Sequence, residues 1–243
     1  MSPRPSASQR RLGGLVGVAI LATFGGACRR APQGPNDAYL DPRVSAEDWN
    51  HLFESEQRQI FVERHRIMQL AAVTPGARVA DVGAGTGVFT SLLSDAVGRD
   101  GVVYAEEVML KFSAFIAAKA AHEGRTNVVS VVGTETGIGL PPGSIDLAFL
   151  CDVYHHFDRP AEMLASIRRA LKPGGEMFLV DFRRDPALSP AWLREHVRAG
   201  EEQVTREVEA AGFARISRDD SLRDSYVVRF RRREDVTDVS RSR

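Results

Sequence analysis

The sequence predicts an α/β protein with a doubly wound, mostly parallel seven-stranded sheet, helices on both faces, and an additional N-terminal helix. Short apolar runs alternate with helical stretches, which is typical of right-handed β-α-β crossovers. The first apolar run leads directly into a glycine-rich turn and a helix, as at the ligand-binding edge of such a sheet. Hydrophobic residues make up 43% of the 243 residues, which is enough to bury a full core.

The first 27 residues predict a secretory signal. Arg4, Arg10 and Arg11 precede an uncharged, largely apolar run over residues 12–27, and Cys28 follows. The run is shorter than the ~20 residues that a membrane-spanning helix needs. The small residues before Cys28 resemble a bacterial lipoprotein signal, in which the cysteine is lipidated. We therefore expect membrane attachment through Cys28 in the bacterial cell envelope. The alternatives are an uncleaved anchor, or a cytoplasmic protein whose start site is misplaced.

Two segments follow before the main domain. Residues 28–44 contain several prolines and polar residues, and they predict a flexible tether. Ser45, with Asp48 three residues on, predicts the start of a helix over residues 45–71, whose apolar side chains recur on one face. We interpret residues 45–73 as a helical lid.

The main domain is predicted over residues 74–232, with a disordered tail at 233–243. Its predicted strands are Val79–Val82, Val102–Ala105, Val128–Val132, Asp146–Cys151, Met177–Phe182, Ala214–Ser217 and Ser225–Phe230. Its predicted helices are Val88–Val97, Met109–Ala121 and Ala161–Leu171, followed by a helical region that Ser189-Pro190 opens and Gly212 ends.

The charge balance argues against one class of partner. Lys+Arg and Asp+Glu both number 32, so the formal net charge is zero. A balanced chain offers no electrostatic case for binding nucleic acid. The basic run at residues 229–233 is more typical of a solvated strand edge and tail than of a binding patch. We therefore expect no nucleic-acid partner.

The most informative stretch is Asp81-Val82-Gly83-Ala84-Gly85-Thr86-Gly87. Glycine adopts positive φ without strain and lets the backbone approach a ligand closely. The spacing differs from the dinucleotide-binding pattern G-x-G-x-x-G, because the third glycine comes one residue early. The acid at the head of the stretch would repel a pyrophosphate but would attract an ammonium group. An NAD(P)-dependent oxidoreductase is therefore the weaker interpretation.

This stretch resembles the first motif, D/E-x-G-x-G-x-G, of the class I methyltransferases that use S-adenosylmethionine. The resemblance covers about residues 74–232 and implies the seven-stranded, Rossmann-like sheet of that family. It also implies that the motif binds the methionine end of the cofactor, with the carboxylate orienting its amino group. The residues concerned are Asp81, Gly83, Ala84, Gly85, Thr86 and Gly87.

Residues at the ends of the later strands complete the implied cofactor site. Glu107 stands 20 residues beyond the glycine motif, where the family has an acid that accepts both ribose hydroxyls. Its neighbour Glu106 is the less favoured choice. At the third strand, Thr134 stands where the family has an adenine-binding Asp, so Glu135 or the backbone is the expected substitute. Asp152, after the fourth strand, is expected to accept a further hydrogen bond.

The loop after the fourth strand supplies the candidate catalytic residues. His156 is the candidate general base, because imidazole titrates near neutrality. Tyr154 is expected to cover the methyl group. The alternative is that His155 and His156 only pack against the cofactor or the loop. Asp152 and Asp181 together offer oxygen ligands, but the acid cluster of the metal-dependent catechol methyltransferases is absent, so no metal is expected.

The predicted function is methyl transfer from S-adenosylmethionine to a small-molecule acceptor by in-line displacement. The protein would mainly align the reactants and exclude water, because the cofactor is already activated. Arg58 or Arg64 of the lid would meet the cofactor carboxylate, or both are ordinary surface residues. The alternative function is an exported module that binds adenosyl ligands without transferring methyl, since an exported enzyme lacks an evident supply of its cofactor.

Overall fold

The computed structural model of the chain describes residues 36–185, 187 and 189–234, which form one seven-stranded sheet with helices against it. The strands are β1 Arg78–Val82, β2 Val102–Glu107, β3 Val128–Val132, β4 Ile145–Cys151, β5 Leu171–Phe182, β6 Phe213–Asp219 and β7 Ser225–Arg232. The helices are α1 Ala46–Phe53, α2 Gln59–Val62, α3 Arg64–Ala71, α4 Val88–Val97, α5 Leu110–His122, α6 Pro160–Ala170, α7 Ala191–His196 and α8 Glu201–Ala210.

The strand order is β3-β2-β1-β4-β5-β7-β6. The first five strands pair in parallel, and β7 runs antiparallel to both β5 and β6. The order reverses at β1, which lies between β2 and β4, and a crevice at such a point is where open α/β sheets bind ligands. The predicted fold class, including the final strand pair, is confirmed.

The core lies on both faces of the sheet because neighbouring residues of each strand point in opposite directions. Val79 of β1 packs in one apolar cluster with Phe89 and Leu93 of α4. Its neighbour Ala80 packs in the other, with Leu164 of α6. The two clusters cover opposite faces of the sheet, as in a doubly wound fold. Polar residues lie at the carboxyl ends of the strands.

The N-terminal helical region differs from the single helix predicted over residues 45–71. The predicted start is confirmed, because the Ser45 hydroxyl accepts from the Asp48 amide and the Asp48 carboxylate accepts in return. The helix then stops after Phe53. The hydroxyl of Ser55 accepts the amide of Gln57 at 3.2 Å, which competes with a helical hydrogen bond. Two further short helices follow, α2 and α3, which are separated at Glu63 and bury Ile60 and Ile67 in the core.

Residues 36–44 also differ from the predicted tether. They include a 3₁₀ helix, Asp37–Leu40, and the ring of Tyr39 lies 4.8 Å from that of Trp49. The amine of Lys111 donates to the carbonyl of Val44 at 3.0 Å. Tertiary packing therefore overrides the local composition of this segment. The predicted signal, Cys28 and the tail beyond residue 234 lie outside the described residues.

Two smaller boundaries also differ. β5 begins at Leu171, where the sequence predicts the last residue of a helix, and it continues through the Pro-Gly-Gly turn signal. The helical region predicted to end at Gly212 is divided into α7 and α8. Among the described residues, no helix is both long enough and apolar enough to cross a membrane.

Candidate functional site

A cavity of about 360 Å³ opens at the carboxyl ends of β1, β2 and β4. Most of its lining comes from the glycine turn after β1, the end of β2, the loop after β4, and the N-terminal segment from residue 36 to residue 60, and a few residues of α4, α5, α6 and the loop after β3 complete it. A volume of this size lies within the range of small-molecule sites, about 300–1,000 Å³. The topology therefore brings together residues that are far apart in the sequence.

The glycine turn forms one wall of the cavity. Gly83, Ala84 and Gly85 line it, while Thr86 and Gly87 lead into α4. Gly83, Gly85 and Gly87 have φ of +64°, +58° and +81°, in the left-handed region that glycine occupies without strain. The chain thus turns sharply enough to present backbone rather than side chains to a ligand.

Asp81, the acid of the motif, lies behind the turn instead of lining the cavity. Its carboxylate accepts the Thr90 hydroxyl at 2.6 Å, which ties β1 to α4. Burial raises its pKa to about 7, against the lowering effect of the Thr90 hydrogen bond. In this geometry Asp81 positions the turn.

Glu106 and Glu107 both line the cavity at the end of β2. The Glu107 carboxylate accepts the amides of Gly85 and Met109, each at 2.9 Å, so it links the turn to the loop after β2. Burial raises the pKa of Glu107, although those two amides oppose the rise. Burial also raises the pKa of Glu106 to about 8. Glu106 accepts one amide, from Gly83 at 3.2 Å, and its Oε1 is buried without a partner.

The end of β3 contributes less than the ends of its neighbours. Thr134 pairs through its backbone with Gly137, at 2.9 Å from amide to carbonyl. Glu135, the predicted adenine contact, is an exposed residue that lines the cavity. The structure therefore brings Glu135 to the site but gives Thr134 only a local role.

Asp152 occupies an unusual position after β4. Its φ is +60°, a conformation that Asp tolerates better than most residues do. Its carboxylate forms an ion pair with Arg58 from the N-terminal segment. Burial raises the pKa of Asp152, and the Arg58 guanidinium opposes that rise. The second carboxylate oxygen, Oδ1, is buried without a partner. The Arg58–Asp152 pair thus sets a cation and an anion side by side in the cavity wall.

Tyr154 does not lie where the sequence-based role requires. Its ring is buried beside Phe157, with 5.3 Å between ring centres, and it is absent from the described lining of the cavity. Its hydroxyl donates to Glu207 of α8 at 2.8 Å. The side chain points into the core from the short 3₁₀ helix Tyr154–His156. Tyr154 therefore fixes the loop against α8 and does not cover a methyl group in this arrangement.

The two adjacent histidines have different surroundings. His155 and Asp181 are buried, and Nδ1 of His155 lies 2.7 Å from the Asp181 carboxylate. Burial acts to lower the pKa of His155, but Asp181 outweighs it and raises the pKa. His156 lines the cavity, and burial, together with the neighbouring His155, His196 and Arg58, lowers its pKa to about 2. A group with that pKa is a weak proton acceptor near neutrality, which counts against its predicted role as general base.

The carboxylates suggested as a metal pair are engaged with protein groups. Asp152, His155 and Asp181 offer ligand atoms within 4.8 Å of one another. However, Asp152 pairs with Arg58, and Asp181 accepts from the backbone and ring of His155. Sequence reasoning brought Asp181 to this edge of the sheet but missed its pairing with His155, because a sequence does not show which way the imidazole ring points.

An aromatic cluster covers one side of the cavity and was also missed. Tyr39, Trp49, Phe53 and Phe112 lie with ring centres 4.8–6.5 Å apart. Tyr39 also meets the ring of His156 at 5.5 Å, edge to face. Burial raises the pKa of Tyr39, so its hydroxyl stays neutral. The amphipathic pattern of α1 was the one available signal, and it could not identify the surface that α1 covers.

Comparison with known proteins finds similarity over much of the part of the chain that forms this cavity. Residues 80–179 match the model of a family described as methyltransferase domain. A crystal structure of a SAM-dependent methyltransferase from Aquifex aeolicus superposes with a TM-score of 0.69 at 23% identity, covering 78% of this chain and 99% of that one. At that identity the likeness shows the fold, which is the methyltransferase α/β fold.

Two curated relatives match over about half of this chain. The ubiquinone/menaquinone biosynthesis C-methyltransferase of Shewanella frigidimarina is 31% identical over 126 residues, which are 50% of this chain and 49% of that protein. Lovastatin diketide synthase of Aspergillus terreus is 30% identical over 131 residues, which are 49% of this chain and 5% of that protein. The match thus spans about half of the first relative's length and a small part of the second's.

Proposed function

We propose that this protein is an S-adenosylmethionine-dependent methyltransferase that acts on a small-molecule acceptor. The observation that carries the proposal is the link between the Glu107 carboxylate and the amide of Gly85, inside one cavity at the carboxyl edge of the sheet. The methyltransferase domain match over residues 80–179 supports methyl transfer as the reaction. The alternative of a binding module without transfer gains no support from the comparisons.

Two carboxylate oxygens of the site lack hydrogen-bond partners among the described residues, and the cofactor carries donors that could supply them. Glu106 Oε1 and Asp152 Oδ1 are buried without partners, and a buried acceptor left unpaired is costly. Ligand hydroxyl and ammonium groups are donors that would satisfy them. Glu107 and Glu106 would accept the ribose hydroxyls, and Asp152 and Arg58 would hold the ammonium and carboxylate of the methionine end. Glu135 would lie toward the adenine.

When bound, S-adenosylmethionine would supply an activated methyl group, which a nucleophile takes from the sulfonium as S-adenosylhomocysteine leaves. The chain's own contribution is position and water exclusion. The glycine turn fixes the backbone beneath the ligand, and the ring of Phe53 closes over Gly85, where an added Cβ would lie 3.2 Å from the ring. His156 lines the cavity as a neutral imidazole and would orient an acceptor hydroxyl or thiol by hydrogen bonding.

A binding and turnover experiment tests this function. Purified protein is mixed with methyl-labelled S-adenosylmethionine and a panel of quinol, phenol, thiol and amine acceptors, and formation of S-adenosylhomocysteine is measured. Glu107→Gln should weaken S-adenosylhomocysteine binding by about tenfold or more, or roughly 1.4 kcal/mol. The exposed Glu202 of α8 gives the matched control, Glu202→Gln, which should bind as the parent does.

The outcomes separate the two functions. Binding with product formation for any acceptor class supports the methyltransferase. Tight binding without product across the panel supports the binding module instead. Equal binding by Glu107→Gln and the parent would remove the proposed cofactor site.

We further propose that the protein is exported and attached to the bacterial envelope through a lipidated Cys28. The basic and apolar character of residues 1–27 supports this proposal. Cys28→Ser should then prevent incorporation of labelled palmitate and leave residues 1–27 uncleaved. A parent protein that stays soluble, unprocessed and unlabelled would contradict it and favour a cytoplasmic location.

A further inference from the structure

Three of the six histidines of the chain meet beside the cavity, and one of them, His156, lines it. His155 and His156 lie on the short 3₁₀ helix Tyr154–His156 after β4, and His196 ends α7. Their ring centres are 4.0, 5.0 and 5.2 Å apart. Imidazole rings that share one tetrahedral ion have centres about 5 Å apart, given metal–nitrogen bonds of about 2.0–2.1 Å.

We propose that His155, His156 and His196 bind one divalent transition-metal ion of the zinc class. One nitrogen of each ring lies within 4.8 Å of a nitrogen of both others, so a small movement brings all three to a common ion. Three imidazoles with a fourth position left open form the ligand set of hydrolytic and lyase zinc sites. Nitrogen ligands also favour zinc, nickel, copper or iron over magnesium and calcium.

Asp181 supplies the supporting contact that such a site needs. It lies 2.7 Å from Nδ1 of His155, and both side chains are 2% exposed. Its carboxylate also accepts the amides of His155 at 3.0 Å and Phe182 at 2.7 Å, so its orientation is fixed. A carboxylate on one ring nitrogen directs the other toward a metal and strengthens it as a ligand. Nε2 of His155 is therefore the atom left for the ion.

His156 provides an independent indication of a missing partner. Its Nδ1 is buried and has no hydrogen-bond partner in the described structure. Its ring is fixed by Tyr39 on one side and by the other two histidines. A buried imidazole nitrogen without a partner is costly, and an ion at the centre of the cluster would satisfy it. His196 is only partly buried, which leaves a route for entry of the ion.

The surrounding charges permit a cation here. Arg58 is the nearby positive group, and it is paired with Asp152. Asp181 adds a second carboxylate beside His155. The alternative set of Asp152, His155 and Asp181 is less suitable, because both carboxylates already have protein partners. The imidazole cluster is therefore the more suitable ligand set of the two.

Because His156 lines the cavity, the open coordination position would face the acceptor. An ion there would bind a hydroxyl or thiol of the acceptor and favour its deprotonated form. This assignment of the open position rests on the proposed methyltransferase function. The metal site itself does not.

Titration of the metal-free full chain with ZnCl₂ in a calorimeter tests the site, with S-adenosylhomocysteine binding measured on the same samples. We expect one zinc ion per chain, and at least a tenfold loss of zinc affinity in His196→Ala. His122, exposed at the end of α5, supplies the control His122→Ala, which should bind zinc like the parent. Cobalt should give the intense visible bands of a four- or five-coordinate ion in the parent and in His122→Ala only.

The possible failures are distinct. A parent that takes up no zinc and shows no such cobalt spectrum, or a His196→Ala variant that binds zinc as tightly as the parent, would overturn the metal site. If S-adenosylhomocysteine still binds in that case, the proposed cofactor site stands. Zinc binding without S-adenosylhomocysteine binding would support the metal site and count against the proposed function.

Discussion

Gly83 lacks the side chain that any other residue would place against the loop after β4. A Cβ at this position would lie 2.2 Å from Cγ2 of Val153, and φ is +64°. Gly83→Ala should therefore push the loop away from the turn and abolish measurable binding of S-adenosylhomocysteine. The backbone strain adds roughly 1–2 kcal/mol of destabilisation. Calorimetric titration and thermal unfolding give the two quantities.

A matched substitution separates the contact from the strain. Gly143 has φ of +62°, but a Cβ there would meet nothing within 4 Å. Gly143→Ala should lose comparable stability while binding S-adenosylhomocysteine as the parent does. Binding by Gly83→Ala at parental affinity would mean that the turn does not shape the site.

Single residues also show where sequence reasoning stops. The glycine turn and the carboxylates of Glu106 and Glu107 could be located because their spacing along one β-α-β unit fixes their position in space. The pair of Arg58 and Asp152 could not, since it joins residues 94 positions apart. Side-chain direction was equally hidden. Nothing in the sequence indicated that Tyr154 turns toward Glu207 of α8.

At the scale of elements, the N-terminal helices are held over the cavity by a small number of polar contacts. Besides the Arg58–Asp152 pair, Lys119 of α5 binds Glu54 at 2.9 Å, and Asn36 donates to the carbonyl of His156 at 3.1 Å. The apolar contacts of α1 are concentrated in the aromatic cluster, while Ile60 of α2 and Ile67 of α3 are buried in the main core. α1 buries only Ala46 and Trp49, and a short helix with few buried residues is an element expected to open locally.

Arg58→Met tests this arrangement. It keeps the apolar stem but leaves Asp152 as a buried carboxylate without its partner, which is strongly unfavourable. We expect faster amide hydrogen exchange over residues 46–62 and at least a tenfold loss of S-adenosylhomocysteine affinity. Arg64→Met is the control, because Arg64 contacts only Phe61 among the interactions described. Unchanged exchange and affinity in Arg58→Met would show that the pair does not hold the segment.

Element positions were predictable where hydrophobic pattern and turn chemistry agree. α4 matches its predicted range of Val88–Val97, and β3 its range of Val128–Val132. The predicted N-terminal helix is interrupted near Ser55, which offers a competing hydrogen bond, and again at Glu63. Residues 36–44 are ordered because Tyr39 packs against Trp49 of α1 and Phe112 of α5. A single sequence does not reveal such long-range contacts.

For the molecule as a whole, buried acids make stability depend on pH. The ordinary pKa of Glu106 is 4.5, and burial raises it to about 8 in the folded protein. The folded state therefore binds more protons than the unfolded state between about pH 4.5 and 8, so this carboxyl lowers the free energy of unfolding as pH rises through that window. Asp81, with its pKa raised from 3.8 to about 7, acts in the same direction.

Glu106→Gln isolates this contribution in ligand-free protein. The variant should gain stability relative to the parent on going from pH 5 to pH 8, by an amount on the order of a few kcal/mol. Urea unfolding at both pH values measures the free energy of unfolding of variant and parent. Both proteins contain the same histidines, so the contribution of histidine titration largely cancels when the two are subtracted. A difference between variant and parent that does not change with pH would contradict the burial argument.

The most direct measurement is a crystal structure of the full chain with S-adenosylhomocysteine. We predict the ligand in the cavity at the carboxyl edge of the sheet, with its ribose hydroxyls within hydrogen-bond distance of Glu107 and its amino acid end against the Arg58–Asp152 pair. A ligand bound elsewhere, or a cavity filled by the chain's own side chains at saturating ligand, would contradict the account.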